Sequence, residues 1–393
     1  MKLGRLLVAL LFIGCGLRQG DTAKPGGDGR RVLAVGPGKN YAKPSAAARA
    51  TRDGDIVEIA AGVYEGDAAI WRSNNLTIRG VGGRAEIKAK GADAEDKGIW
   101  VIKGKNTTVE NIELSGARVH DRNGAGIRQE GAGLVVRNCY FYNNQNGILA
   151  NRNEASEVLI ENSEFNDNGE GDGQTHNIYI GKVKRFTLRG SYSHHTDIGH
   201  NVKSRAMESY ILYNRIMDET TGTSSYAIDL PNGGIAYVIG NLIQQGPQTD
   251  NSTIVAYGKE GLSNPGRQLY FVNNTVVNDG PPDGTFVFVQ NGAGPVEIVN
   301  NIFAGPGTVL KGPGTLSHNL QSPNPGLVDA AAFDYHLKAG SAAIDAGIDP
   351  GMANGFALAP TAQYVYKTDT EPRPRVGPID IGAYELQPAA TAR

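Results

Sequence analysis

Short apolar alternations recur along this 393-residue chain, and an Asn recurs with them between two apolar strand residues. Segments such as LVVRNCYF, VLIENSEF, YVIGNLI, YFVNNTVV and VEIVNNIF return at intervals of about 24 to 33 residues, a period that belongs to stacked supersecondary units. Within each segment the period is two, as for a strand with one face buried. The Asn falls at Asn111, Asn138, Asn162, Asn214, Asn241, Asn274 and Asn301, and Gly190 takes its place in the coil that lacks one. Strands stacked in parallel register put equivalent positions above one another. An Asn at a bend can then hydrogen-bond along the stack and satisfy turn backbone groups. The chain therefore reads as an all-β solenoid, its 53 Gly serving many turns and its 40% hydrophobic share filling a long narrow core.

The opening MKLGRLLVALLFIGC has a basic start, an apolar run of about nine residues and a small residue before Cys15, the makings of a secretory signal over residues 1–15. The run is too short to span a bilayer as a mature helix. LFIGC resembles the lipobox of bacterial lipoproteins, which implies a lipid anchor on Cys15; ordinary cleavage nearby would leave a soluble product. The expectation is an exported protein, periplasmic or on the outer surface if lipidated and otherwise secreted. Cys139 is the only other cysteine, so no intramolecular disulfide staples the mature chain. Stability must come from a continuous core. Residues 16–34, rich in Gly, Asp, Lys and Arg, read as a flexible tether, and residues 35–320 as the solenoid. The AAARA run at 46–50 reads as a short helix closing the first coil, and residues 321–393 as a C-terminal cap and tail that fold back. A net charge of −2, from 38 basic and 40 acidic residues, gives no overall field for nucleic acid or an anionic membrane. A monomer is expected, with no nucleic-acid partner and no membrane contact except through Cys15.

Each coil also carries a strand after the loop that follows the Asn. Aligning these strands on Ile127, Ile148, Ile178, Val202, Ile228, Ile254 and Val287 as inward residues sends the next residue outward. That outward row reads Arg128, Leu149, Tyr179, Lys203, Asp229, Val255, Phe288. The second outward row reads Glu130, Asn151, Gly181, Arg205, Pro231, Tyr257, Gln290, and the preceding one includes Asn177 and Asn201. At roughly 4.8 Å per coil, three adjacent coils gather Asn177, Tyr179, Asn201, Lys203, Arg205 and Asp229 on one face. His176, His200 and Tyr226 stand at the loop exits. Such a face suits a linear acidic polysaccharide, whose hydroxyls need partners and whose rings stack on Tyr179, Tyr226 and Tyr257. Arg128 and Asn151 extend the binding surface.

The opening VGPGKNYAKPSAAARATRDGDIVEIAAGVYEGD resembles the first coil of the pectate-lyase-like right-handed parallel β-helix superfamily. FDYHLKAGSAAIDAG and PIDIGAYE are similar to the tails of bacterial surface β-helix proteins. The resemblance spans nearly all of the mature chain and implies a single-stranded right-handed parallel β-helix. It does not fix a reaction, because one fold hosts many chemistries. The run HNVKSRAMESYILYNRI resembles the Lys-Ser segment of alginate lyase and chondroitinase-B-like lyases, in which the Lys is the base; Lys203 and Ser204 match it. That family carries an Arg in the next coil, on a strand ending Leu-Arg-His-Gly, where this chain has Leu230-Pro231-Asn232-Gly233. The family's acidic pair that binds calcium is also missing, Asp197 standing alone.

β-Elimination on a uronic-acid polymer needs a group that neutralises the carboxylate, a base for the neighbouring proton and an acid for the leaving oxygen. Lys203 or Tyr179 is the candidate base. Arg205 with Asn177 and Asn201 would neutralise the carboxylate, and His200 or His176 would be the acid. A glycoside hydrolase needs two carboxylates roughly 5 to 9.5 Å apart; Asp229 is one, and Asp172, Asp197, Asp218 and Glu219 lie in loops. A C5-epimerase would share the lyase's first step, and a non-catalytic adhesin would use the same face for binding alone. No cofactor is required. The acidic loop at residues 167–173 leaves calcium open, although turn chemistry explains its composition equally well. His194 and His195 lack a third ligand at zinc-site spacing.

Overall fold

A computed structural model of the chain describes residues 29–386 and the backbone of the short strand Lys24–Pro25. The stretch read as a secretory signal, residues 1–15 with Cys15, lies outside these residues. Ten strands, from Ala69–Trp71 to Thr308–Lys311, stack in parallel as one face. The strands on either side of the bend form a second continuous sheet, again parallel from coil to coil. Among the described residues no helix is long and apolar enough to cross a membrane.

The bend explains the recurring Asn, and it corrects the alignment that placed every Asn in one row. Two adjacent positions both favour Asn. Asn111, Asn138, Asn162, Gly190, Tyr213, Gly240, Asn273 and Asn300 hold the left-handed conformation, with φ between 49° and 67°. Gly and Asn reach that region at least cost. From Asn138 onward the residue after each points inward, and there Cys139, Ser163, Ser191, Asn214, Asn241, Asn274 and Asn301 form the ladder, which Asn319, after the left-handed His318, continues. The Asn214 N–H donates to Asn241 Oδ1 at 2.9 Å, that of Asn241 to Asn274 at 3.0 Å, that of Asn274 to Asn301 at 2.8 Å, and that of Asn301 to Asn319 at 2.9 Å. Ser163 and Ser191 continue it through their hydroxyls, at 3.1 and 3.2 Å. Asn111, Asn138 and Asn162 thus belong to the bend and not to the ladder.

The core runs through every coil. Ile127, Ile148, Ile178, Val202 and Ile228 lie in register, and Phe141 stacks on Phe165 with centroids 4.8 Å apart. Cys139 is buried among them, and desolvation pushes its thiol up to about 12.

The ends differ in detail from expectation. The first coil's strand starts at Arg31, inside the stretch read as tether, where the Arg31 guanidinium meets Asp55 at 2.6 Å. The cap helix runs Pro44–Ala48, earlier than 46–50, because Pro is suited to the first helical turn. The C-terminal tail lies along the flank as three small antiparallel hairpins. Asn354 bonds Tyr237 Oη, Thr361 bonds Tyr213, and Asn162 bonds Asp369. In the final coil Leu316 stays 50% exposed.

Asn241 is fully buried and also donates to Ile211 O and Asn274 Oδ1. Asn241→Ala should lower the unfolding free energy by roughly 1–3 kcal/mol for each buried group it strands, read as a lower denaturant midpoint; an unchanged midpoint would remove the ladder from the stability argument.

Candidate active site

Strand register fixes the outward row. Arg128, Leu149, Tyr179, Lys203 and Asp229 follow one another across parallel neighbours, as the alternation requires. The next residue is Ala256, paired with Asp229 and then with Phe288. The sequence alignment had slipped by one in this strand. Val255 points into the core, and Tyr257 is fully buried with its hydroxyl on Gly234 O at 2.5 Å. Tyr257 is therefore no substrate platform; the strand Thr253–Tyr257 is apolar on both faces, and alternation alone could not set its phase.

A second correction concerns Asn177 and Asn201. Regular strand begins only at Ile178 and Val202, so the preceding residues sit at a corner where alternation does not apply. Both side chains turn inward and are fully buried. Asn177 Nδ2 donates to Asn201 Oδ1 at 3.0 Å and to His194 O at 2.9 Å, and Asn201 Nδ2 donates to Asp218 and Ser224. With Asn144 and Asn168 they build a second internal ladder. They hold the coils beneath the site and cannot meet a substrate carboxylate.

The other candidates converge. Lys203 Nζ lies 3.4 Å from Asp229 Oδ2 and 3.4 Å from Glu260 Oε1, and only 8% of the residue is exposed. Arg205 grips Glu260 through both terminal nitrogens, at 2.7 and 3.0 Å. It also donates to Tyr179 Oη at 2.9 Å and to Asn232 Oδ1 at 2.7 Å. Pro231 stands where the resembling lyases carry their partner Arg, and the neighbouring Asn232 supports Arg205. The Tyr179 ring lies beneath both cations, 6.0 Å from Lys203 Nζ and 5.8 Å from the Arg205 guanidinium carbon. Arg128 and Asn151 share the face at the earlier coils and bond each other at 3.0 Å.

Glu260 and Lys259 were missed by the sequence reading. They occupy the turn after the strand Thr253–Tyr257, where Gly258 and Gly261 take φ of 79° and 103° and let the chain double back. The available signal was a Lys-Glu pair set between two glycines, beside the coil that carries Asp229. Lys259 Nζ reaches Tyr226 Oη at 2.9 Å and lies over the rings of Tyr226 and Phe288. Arg205, then Lys203, hold the Glu260 carboxyl below its ordinary value.

The histidines line the inner edge. His176 stacks against His200 with centroids 4.6 Å apart, and its Nδ1 accepts the His200 backbone N–H at 3.0 Å. Its proton is therefore on Nε2. Burial, then the neighbouring His200, Lys203 and Arg205, pushes His176 well below its ordinary value. At 1% exposure it is no proton donor to a bound polymer. His200 Nδ1 approaches Asp229 Oδ2 at 3.2 Å without hydrogen-bond alignment, and burial lowers its pKa against the opposing pull of Asp229. Asp218 is buried in the inner ladder, and Asp172 accepts bonds from Gln174 and Thr175 of its own loop. Among the described residues no group of three or more His, Cys, Asp or Glu side chains is placed to hold a metal ion.

Residues 61–243 match the family described as "Right handed beta helix region". The chain is a right-handed parallel β-helix. Among solved structures it is similar to pectate lyase Pel9A, with a TM-score of 0.62 and 14% identity over 91% of this chain and 96% of that one. At that identity the likeness shows the fold alone. It is also similar to ORF18 of Geobacillus virus E2, with a TM-score of 0.42 and 14% identity over 68% of this chain and 52% of that one. A search of curated protein sequences gives no match.

The buried imidazoles set an expectation for this β-helix. Their folded pKa values lie below the unfolded value of about 6.5, so the unfolded chain binds more protons. Stability is complete above that pH and is lost as pH falls toward the folded values. The thermal midpoint should drop between pH 7 and pH 5, and His176→Gln should flatten the drop without removing it, since burial also depresses His194 and His200. Equal slopes in the two proteins would refute this role for His176.

Proposed function

We propose that this chain is an exported enzyme that binds a uronic-acid-containing polysaccharide on the Tyr179, Lys203 and Asp229 face and cleaves it by β-elimination. One observation carries the reading: Arg205 and Lys203 converge on a single carboxylate, that of Glu260, supplied by an exposed turn. A face that already grips one carboxylate by a bidentate guanidinium and an ammonium is built to grip another. The substrate carboxylate displaces Glu260 from Arg205, which withdraws charge and acidifies the adjacent carbon. Lys203, the next residue along the row, is the base: its side chain reacts as the neutral amine, its own proton having left to solvent, and becomes the ammonium on taking that proton. The electron pair forms the carbon–carbon double bond and expels the glycosidic oxygen, which His200 protonates from the inner edge as the imidazolium, charged by a proton from solvent beside Asp229. Tyr226, bonded to Lys259, and Tyr179 offer ring faces for the flanking sugars. The fold shared with pectate lyase Pel9A supports this reading.

A specific observation favours hydrolysis as the second reading. Asp229 and Glu260 each lie 3.4 Å from the same Lys203 nitrogen, so the two carboxylates stand close together on the face, as the paired carboxylates of a glycosidase must. The two reactions leave different ends. Incubation with pectate, alginate and glycosaminoglycans should release chains whose unsaturated end absorbs in the ultraviolet; new reducing ends without that absorbance would establish hydrolysis, and neither product would sink both.

Two substitutions separate the roles. Lys203→Met should abolish product formation while leaving the circular dichroism spectrum unchanged. Glu260→Gln should lower KM several-fold with kcat nearly constant, because it removes a competitor for Arg205 and no reacting group; loss of kcat would instead make Glu260 a catalytic carboxylate.

A further inference from the structure

The coil that carries Lys203 presents a second, unrelated cleft on another face, where the strand Arg215–Met217 meets the C-terminal tail. Its volume is about 550 Å³, within the range of small-molecule sites. Two tail hairpins supply most of the wall: Phe333 and Tyr335 from one, Tyr364 and Tyr366 from the other.

The inner wall is built from buried polar groups. Arg215 is 8% exposed and lies among the rings of Tyr192, Phe333 and Tyr366, its guanidinium carbon 5.1, 5.9 and 5.4 Å from their centroids. One terminal nitrogen bonds Glu219 at 3.2 Å, while Arg215 Nε has no protein partner. Tyr335 is 1% exposed and its hydroxyl is likewise without one. Native interiors seldom leave such donors unanswered.

The rim has the opposite character. Tyr366 is 67% exposed and offers an open ring face. Glu219, Asp334 and Glu371 bring carboxylates against the one Arg215 charge, and His336 is already engaged with Asp334 at 2.6 Å. A ligand here must present a flat apolar face to Tyr366 and hydroxyl donors to the rim carboxylates. An anionic sugar meets three carboxylates. An organic cation would have to share the Tyr366 ring with the Arg215 guanidinium, 5.4 Å from its centroid, and would be repelled by it. We infer that this cleft is a second saccharide site and that it takes a neutral pyranose. The inference goes beyond the elimination reading and does not depend on it, since no residue is shared between the two sites.

Affinity electrophoresis of the full chain in native gels containing galactan, xyloglucan, glucomannan, dextran or pectate tests it. At least one neutral glycan should retard the protein, and Tyr366→Ala should weaken that binding about fivefold, the loss of one stacking contact. Tyr366→Phe keeps the ring and should keep the binding, and Lys203→Met should leave it unchanged even if no polymer is cleaved. Retardation by none of the neutral glycans would overturn the proposal. So would equal retardation of wild type and Tyr366→Ala, or retardation by pectate alone that Tyr366→Ala removes.

Discussion

Everything in this molecule depends on parallel stacking that places equivalent residues of successive coils above one another. A chain that turns three times per coil must bury many backbone groups at its corners, and each needs a partner. The inward Asn rows answer that need: one amide oxygen accepts a backbone N–H from the preceding coil while the amide nitrogen donates to a carbonyl. Because each ladder residue serves its neighbour, the register of one coil fixes the next. Outward side chains far apart in sequence are therefore placed with the precision of a strand pair, as Tyr179, Lys203 and Asp229 are.

This logic made the fold legible from sequence. A period of two within segments, a longer period between them and an Asn near each bend are local facts, and the solenoid follows from them. The ladder's exact membership did not follow, because a left-handed bend residue and an inward ladder residue both favour Asn. Asn162 and Asn214 look alike in the repeat yet lie one position apart in register.

The site was legible wherever alternation held. Tyr179, Lys203 and Asp229 stand on a common face because regular strand spans them, and Arg205 joins them one residue past the end of its strand. Asn177 and Asn201 were misplaced because a corner precedes the strand, and Tyr257 because its strand is apolar on both faces and carries no phase. Glu260 escaped for another reason. It reaches Lys203 and Arg205 from a turn more than 50 residues away in sequence, and strand periodicity says nothing about where the tip of a turn falls.

The charges of this face are also placed where stability alone would not put them. Elsewhere the same outward row carries Leu149, Ala256 and Phe288, so the solenoid accepts apolar residues there without penalty. Lys203 and Asp229 are instead almost fully buried beside each other. Desolvating two charges offsets much of their attraction, and a buried ion pair is often no more stabilising than a well-packed apolar pair. Such a pair is better explained by what it holds ready. Asp229 and Tyr179 keep the Lys203 nitrogen in one place, and Arg205 is fixed by Tyr179 and Asn232. The remaining partner, Glu260, is the exposed member of the network and sits on a turn that two glycines let reverse. Among the carboxylates of the network it is the one an incoming anion can displace without unmaking the fold.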